Sequence, residues 1–527
     1  VAIRLVASDF WGYYRPSQCP LRVWLRQQKI EEAPPGPFAE LLMRLGREHE
    51  ERHLKQFPNH LDLGRLPIAE RVERTREAVA ACETVVYQGA FYKETDLAGT
   101  AVEIVGAPDF LLPWRSGYAI RDSKLSRRLE GHIEIELQLQ LYGWLYEQTF
   151  GEPPAALQVH AGSEEILELP FDDGKSALQT LEQILRIRLA SEPPRTTVGW
   201  SKCSACPYFE RCWPPAVERG AVGLVPGADR GLVDELQAQG IETIEELLGS
   251  FDETRLAEFE RPWGQRRMKV GAKAARILTG ARAIRDGAPM VLRPPAIPAN
   301  PNYVMFDLEG MPPQFDELEK IYLWGMQVFG EGPGPSCAAT AGFGHDGDRE
   351  GWEAFLREAG AVFAEQGDIP FVHWANYERT KIDLYIARYG DRDGIAARVL
   401  RNLLDLHQIT YESVAVPASS YGLKQIEKLA GFERTLPDGG GSWSMARYIE
   451  ATETNDAEFR AEIMKEILTY NREDLEATWA VLCWLNGLRP LADRSPPPDD
   501  RASVKDLEPL TFLARIRRWW RTSRSHD

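Results

Sequence analysis

Residues 106–125 read GAPDFLLPWRSGYAIRDSKL, with Asp109 and Asp122 on either side of an apolar run and Lys124 two residues past Asp122. Two such carboxylates can hold a hard divalent cation, because Mg²⁺ prefers oxygen ligands and keeps several waters. On a strand, the two-residue spacing puts Asp122 and Lys124 on one face. An ammonium there can stabilise developing charge or tune a metal-bound water. Gln138 and Tyr142 follow at i, i+4 on one face of a predicted helix. A surface Asp-Ser-Lys triplet in a hairpin is the plain alternative for the triplet alone; the upstream Asp109 and the Gln138/Tyr142 pair favour the chemical reading.

A second set of carboxylates lies further on. YVMFDLEGMPP ends an apolar strand in Asp307-Leu308-Glu309, and alternation points both acids to one side. IPFVHW reads as another strand and runs into WANYE, where Asn376 and Glu378 stand. VLRNLLDLHQ carries Asp405, and Tyr470 and Asp474 are spaced i, i+4 on a long helix over 467–485. Of the seven cysteines, Cys203, Cys206 and Cys212 form C-x2-C-x5-C, a metal-ligand spacing. Cys82, Cys337 and Cys483 read as core, whereas Cys19 sits among polar residues just before Pro20.

The order Asp109, Asp122-x-Lys124 resembles the PD-(D/E)XK nucleases, and Gln138-x-x-x-Tyr142 is similar to the extension of their RecB-type branch. That resemblance implies a metal site of Asp109, Asp122 and a helical histidine, with Lys124, Gln138 and Tyr142 in catalytic roles. His49, in the G-x-x-H-E stretch at 46–50, matches the histidine better than His53 one turn on. One cysteine before this core and three after it resemble the iron–sulfur branch that includes AddB-type subunits and the nucleases of CRISPR adaptation. A [4Fe–4S] cluster on Cys19, Cys203, Cys206 and Cys212 is then implied, with tetrahedral zinc as the alternative. The series D-x-E, strand–helix, Y-x-x-x-D resembles the tyrosine subtype of the DEDD 3′→5′ exonucleases, of ribonuclease H-like fold. It implies Asp307, Glu309, Glu378 and Asp474 as ligands of two Mg²⁺ or Mn²⁺ ions about 4 Å apart, with Tyr470 orienting the attacking water. An aspartate is usual where Glu378 stands. Asp405 is the other candidate there, although it also suits a structural place at a strand end.

The expected architecture is α/β and multidomain: a PD-(D/E)XK restriction-endonuclease-like domain over 1–218, a helical, helix-hairpin-helix-like connector over 219–291, and a ribonuclease H-like DEDD domain over 303–490. Strands are predicted in 84–105 and 118–124 and helices over 38–54, 133–150 and 419–432. Thr243 and Glu246 form a capping-box pattern. A single basic helix is predicted over 264–287, with Arg266, Arg267, Lys269, Lys273, Arg276, Arg282 and Arg285, either facing phosphates or solvated. LRPPAIPANPN reads as a linker. The tail over 491–527 groups five arginines around Trp519 and Trp520, fit for nucleic acid, a membrane surface, a partner or solvent.

With 527 residues the chain exceeds one core. Its net charge of −17 argues against a uniformly basic nucleic-acid binder but leaves room for a local basic groove beside acidic metal sites. No apolar run reaches the roughly 18 residues of a membrane span, and the first residues lack a basic segment followed by an apolar one. A cytoplasmic location is expected. No G-x-x-x-x-G-K-[ST] occurs, so no Walker-type motor is present. The resemblances imply a metal-dependent deoxyribonuclease acting on DNA with free or single-stranded ends, with a helicase or another protein as partner. The competing reading is a nucleic-acid-binding or partner-docking scaffold in which one domain, the DEDD-like one first, has lost its chemistry.

Overall fold

In the computed structural model, residues 3–488 are described apart from 82–83, 116, 265, 314, 316–317, 332–335 and 437–439; Cys82 and the basic tail lie outside the described residues. Two compact units emerge. The first holds Val1–Thr196 and Ala205–Phe209, the second Thr197–Ser204 and everything from Glu210 on.

The first unit carries two sheets. Strand β1 (Ile3–Val6) belongs to the smaller. β2 (His60–Asp62) and β3 (Val85–Tyr87) open the larger. β4 (Phe91–Leu97) and β5 (Thr100–Gly106) complete the smaller, in the order β1-β5-β4. β6 (Phe110–Trp114), β7 (Gly117–Ser123), β8 (Ala156–His160) and β9 (Ile166–Leu169) complete the larger, in the order β2-β3-β6-β7-β8-β9. β7 is central. It pairs antiparallel with β6 and parallel with β8, setting Asp122 opposite Val159 and Ser123 opposite His160. Tyr118, Ala119 and Ile120 are buried, as a strand covered on both faces requires. The helix Ile133–Phe150 is buried on most sides, through Leu137, Leu139, Leu141 and Leu145 and also Glu134 and Gln140, and ends at left-handed Gly151. A second helix, Pro37–Leu54, starts on a proline at its first turn, where no amide hydrogen is needed. Pro20 opens the helix Pro20–Gln27 in the same way.

The second unit includes the short helices Arg230–Ala238, Ile244–Ser250 and Glu253–Glu258. The capping box forms: Thr243 accepts from the Glu246 amide and Glu246 from the Thr243 amide. The single basic helix predicted over 264–287 is not what the chain builds. β10 (Glu260–Trp263) and β11 (Arg266–Lys269) make a hairpin around Gly264 at φ +58°, and a helix follows only at Lys273–Asp286. Arg267 and Lys269 there pair with Glu235 and Glu258.

β12 (Met290–Val291) lies apart from the main sheet of this unit. That sheet is built of β13 (Asn302–Met311), β14 (Lys320–Gly330), β15 (Ser336–Thr340), β16 (Phe371–His373) and β17 (Leu403–Asp405). Its order is β15-β14-β13-β16-β17, antiparallel on one side of β13 and parallel on the other. β18 (Val414–Ala415) pairs with β12. Helices around this sheet include Gly344–Gln366, Tyr377–Tyr389, Ile395–Asn402, Leu406–Ser413, Gly441–Glu453 and the long Ala457–Gly487. Of the helix predicted over 419–432, only Leu423–Ile426 is helical. No helix among the described residues is long and apolar enough to cross a membrane.

Candidate active sites

In the first unit Asp109 stands just before β6 and Asp122 near the end of β7. Each aspartate takes a backbone N–H from the other's strand: the Asp109 amide donates to Asp122 Oδ1 at 3.0 Å, and the Ser123 amide to Asp109 Oδ2 at 2.9 Å. Lys124 Nζ donates to Asp122 Oδ2 at 2.9 Å, and Gln138 Nε2 to the same oxygen at 2.6 Å and to the Tyr142 hydroxyl at 2.9 Å. Five of the six residues expected here therefore meet. Burial and then the neighbouring Asp122 push the Asp109 carboxyl well above the usual carboxylate range, more than Lys124 and the Ser123 amide offset. Burial works against the Lys124 ammonium, yet Asp122 and Asp109 outweigh it and hold Lys124 above its ordinary value. Burial, with the two aspartates, also keeps Tyr142 protonated. Crowded, mutually repelling carboxyls of this kind suit a divalent cation with oxygen ligands.

Two residues that spacing does not reveal complete the site. Gln88, held at φ +53°, donates from Nε2 to Asp109 Oδ1 at 3.1 Å and to Glu50 Oε1 at 2.7 Å. Glu50 also accepts from the Tyr87 hydroxyl at 2.8 Å. Its one sequence signal is its place beside His49 in the helix.

His49 itself faces another way. Its Nε2 lies 3.3 Å from the His160 carbonyl oxygen, which already accepts from the Lys124 amide, and its Nδ1 lies 3.6 Å from Glu164. His49, His160 and Glu164 have ligand atoms within 4.8 Å of one another, and the two aspartates are not in that group. The His49 and His160 rings, however, are stacked 4.3 Å apart and 2° from parallel. An ion sits in the plane of each imidazole that binds it, so two stacked rings share one only if a ring turns. His53 stacks on the other neighbour of this set, His160, at 3.8 Å, and its Nε2 meets Arg121 Nη1 at 3.1 Å. Burial, His160 and Arg121 pull His53 down to about 3.

In the second unit Asp307 and Glu309 project from β13, and Asp474 reaches them from the helix Ala457–Gly487. Their carboxylate oxygens lie within 4.8 Å of one another. Burial and then Asp474 raise both Asp307 and Glu309, the latter to about 8, and burial also raises Asp474. Three acids at such close range, Glu309 and Asp474 buried and Asp307 half-buried, fit a divalent cation. Tyr470 packs against Trp443, with ring centroids 5.8 Å apart, and its hydroxyl bonds the Asp474 carboxylate. Glu309 accepts from Tyr322, whose hydroxyl also meets Ser444 at 2.8 Å.

Glu378 stands apart from the three. It is near enough to raise Asp307, but its Oε2 meets His373 Nδ1 at 3.1 Å in a buried pair. Asp405 takes the structural place: its Oδ1 accepts from the amides of Gln408 at 3.0 Å and Ala375 at 3.2 Å. Asn471 and Arg434 are the residues missed here. Asn471 Nδ2 donates to Asp307 Oδ2 at 2.7 Å, in space left by Gly325 on β14. Arg434 Nη2 donates to Asp474 Oδ1 at 2.6 Å.

Family comparison matches residues 21–213 to the PD-(D/E)XK nuclease superfamily and residues 304–486 to the RNase H superfamily. The chain joins a PD-(D/E)XK-like N-terminal domain to an RNase H-like C-terminal domain. Solved structures similar to part of it include the crystal structure of SSO0001, at 17% identity over 40% of this chain and 86% of that one, TM-score 0.24. Another is a candidate exonuclease from Eubacterium rectale, at 18% identity over 39% and 85%, TM-score 0.24. No curated protein matches the chain.

The cysteines are divided by the boundary between units: Cys19 and Cys206 belong to the first, Cys203 and Cys212 to the second. Among the described residues they do not form a group with mutually close ligand atoms.

Proposed function

We propose that this chain is a metal-dependent nuclease with two sites, one in each nuclease domain, hydrolysing DNA that offers free or single-stranded ends. The observation that carries the reading is the first site: Asp109 from the loop before β6, Asp122 from β7, Lys124 just past its end, and Gln138 and Tyr142 from the helix Ile133–Phe150 converge in one hydrogen-bonded set. Asp109 and Asp122 would hold Mg²⁺ or Mn²⁺, and Asp307, Glu309 and Asp474 a second ion. Such an ion polarises the phosphate and lowers the pKa of its water. Lys124, cationic at neutral pH, offsets negative charge growing on the phosphate, while Gln138, its amide also bonded to the Tyr142 hydroxyl, fixes the Asp122 carboxylate.

A second reading has its own observation. Glu378 is held by His373 and Asp474 by Arg434, which favours a second domain that binds nucleic acid without cutting it. End-labelled single-stranded and duplex DNA with Mn²⁺ separates the two, using wild type, Lys124→Ala and Asp307→Ala. The two-site reading expects each substitution to remove a different set of products. Loss of all cleavage in Lys124→Ala with none in Asp307→Ala would leave one working site. The [4Fe–4S] reading of Cys19, Cys203, Cys206 and Cys212 rests on the resemblance to the iron–sulfur branch, with the spacing of the last three in support. It expects coloured protein carrying iron and acid-labile sulfide after anaerobic purification; colourless protein with bound zinc overturns it.

A further inference from the structure

Arg434 is the odd charge of the second site. It follows the short helix Leu423–Ile426 in a segment tied to the Ala457–Gly487 helix, where the Thr435 amide donates to Glu473 at 2.9 Å. Its side chain is only 6% exposed. Nε and Nη2 grip Glu427 at 2.8 and 2.7 Å, a side-on fork that fixes the guanidinium plane. Nη2 also donates to Asp474. Nη1, buried with the rest, has no hydrogen-bond partner. A buried guanidinium nitrogen without an acceptor is costly, and its cost is offset if an acceptor arrives.

The acids around it are one short. Three carboxylates converge, and the fourth acid, Glu378, is occupied by His373. A site with four acids can hold two cations; here three acids and a fixed guanidinium share the space.

We propose that Arg434 is a phosphate-binding residue of the second site, supplying from its side chain the positive charge of a second metal ion. The proposal rests on the nuclease reading of that domain. Nη1 takes a non-bridging oxygen of the scissile phosphate, and Glu427 holds the plane from behind. Arg434 makes and breaks no covalent bond. The oxygen of water forms the new P–O bond, the sugar oxygen leaves with its electron pair and takes up a proton, and the water loses one to solvent. Arg434 compensates the charge on the phosphate oxygens throughout.

The test uses the full chain carrying Asp109→Asn to silence the first site, with Arg434→Lys as the main variant. Lysine keeps the charge beside Glu427 and Asp474, so folding is preserved, but it lacks a second nitrogen to reach the phosphate. Binding of a fluorescent single-stranded oligonucleotide in EDTA is expected to weaken about tenfold, the loss of one charged hydrogen bond. Cleavage in Mn²⁺ is expected to slow by about 1,000-fold, the scale of a phosphate-binding arginine. Calorimetry is expected to find one Mn²⁺ lost on adding Asp307→Asn. If Arg434→Lys binds DNA in EDTA as well as its parent and cuts as fast, Arg434 is a counter-ion only. Loss of two ions on Asp307→Asn would equally overturn the proposal. If Asp307→Asn changes neither ion binding nor cleavage, the nuclease reading of the domain fails, while the EDTA arm still reports on Arg434.

Discussion

Asp307, Glu309 and Asp474 all titrate above their ordinary values in the folded chain, Glu309 near 8. An unfolded glutamate titrates near about 4.3. Between those values the folded state holds more protons than the unfolded one, so these acids make stability fall as pH rises through that window. Below it the penalty is absent; above it the penalty is complete. A bound cation removes it, and its binding releases protons. The unfolding temperature of metal-free protein is therefore expected to drop between pH 5 and pH 8, with Mn²⁺ raising it more at pH 8. Asp307→Asn is expected to flatten that dependence, which thermal scans at several pH values would check. At this scale the sequence was legible where a residue's neighbours are set by strand or helix periodicity. Lys124 meets Asp122 because two residues separate them, and Gln138 meets Tyr142 because four do. Gln88, Asn471 and Arg434 carry no such signal, since each reaches its acid across a tertiary approach.

Among the elements, β14 shows how a strand serves a site without giving it a side chain. Gly325 lies opposite Asp307, and a Cβ there would come within 1.9 Å of Asn471 Oδ1. Asn471 is buried and committed to Asp307, so it yields only by giving up that bond. Gly325→Ala is expected to cost about 1–3 kcal/mol and to reduce cleavage from the second site, as denaturant titration and 3′-end-labelled DNA would report. Strands with a run of buried apolar residues, such as β7 and β13, were readable from composition. The hairpin at 260–269 was not: its Arg-Arg-Met-Lys run looks continuous with the helix beyond it, and only Gly264 marks the turn. The stretch 419–432 failed for a similar reason, its apolar spacing being helical while its contacts allow one turn of helix.

On the scale of the whole molecule, the stretches matched to two different superfamilies carry separate groups of acids, Asp109/Asp122 in one and Asp307/Glu309/Asp474 in the other. The division of the chain between its two units is also not a single cut. Residues 197–204 count with the second unit, and 205–209 return to the first. In that return the Ala33 amide donates to the Pro207 carbonyl at 3.1 Å, and the Tyr208 hydroxyl to the Ile30 carbonyl at 2.7 Å. A fragment ending at Thr196 would strip these bonds from the loop before the Pro37–Leu54 helix, the helix that carries Glu50 to Gln88 and Asp109. Such a fragment is expected to unfold at lower urea and bind Mn²⁺ more weakly than one ending past Phe209, by chemical denaturation and calorimetry. The first unit is thus stitched shut by a short later thread, and its working limit along the chain lies beyond the place where its last long helix ends.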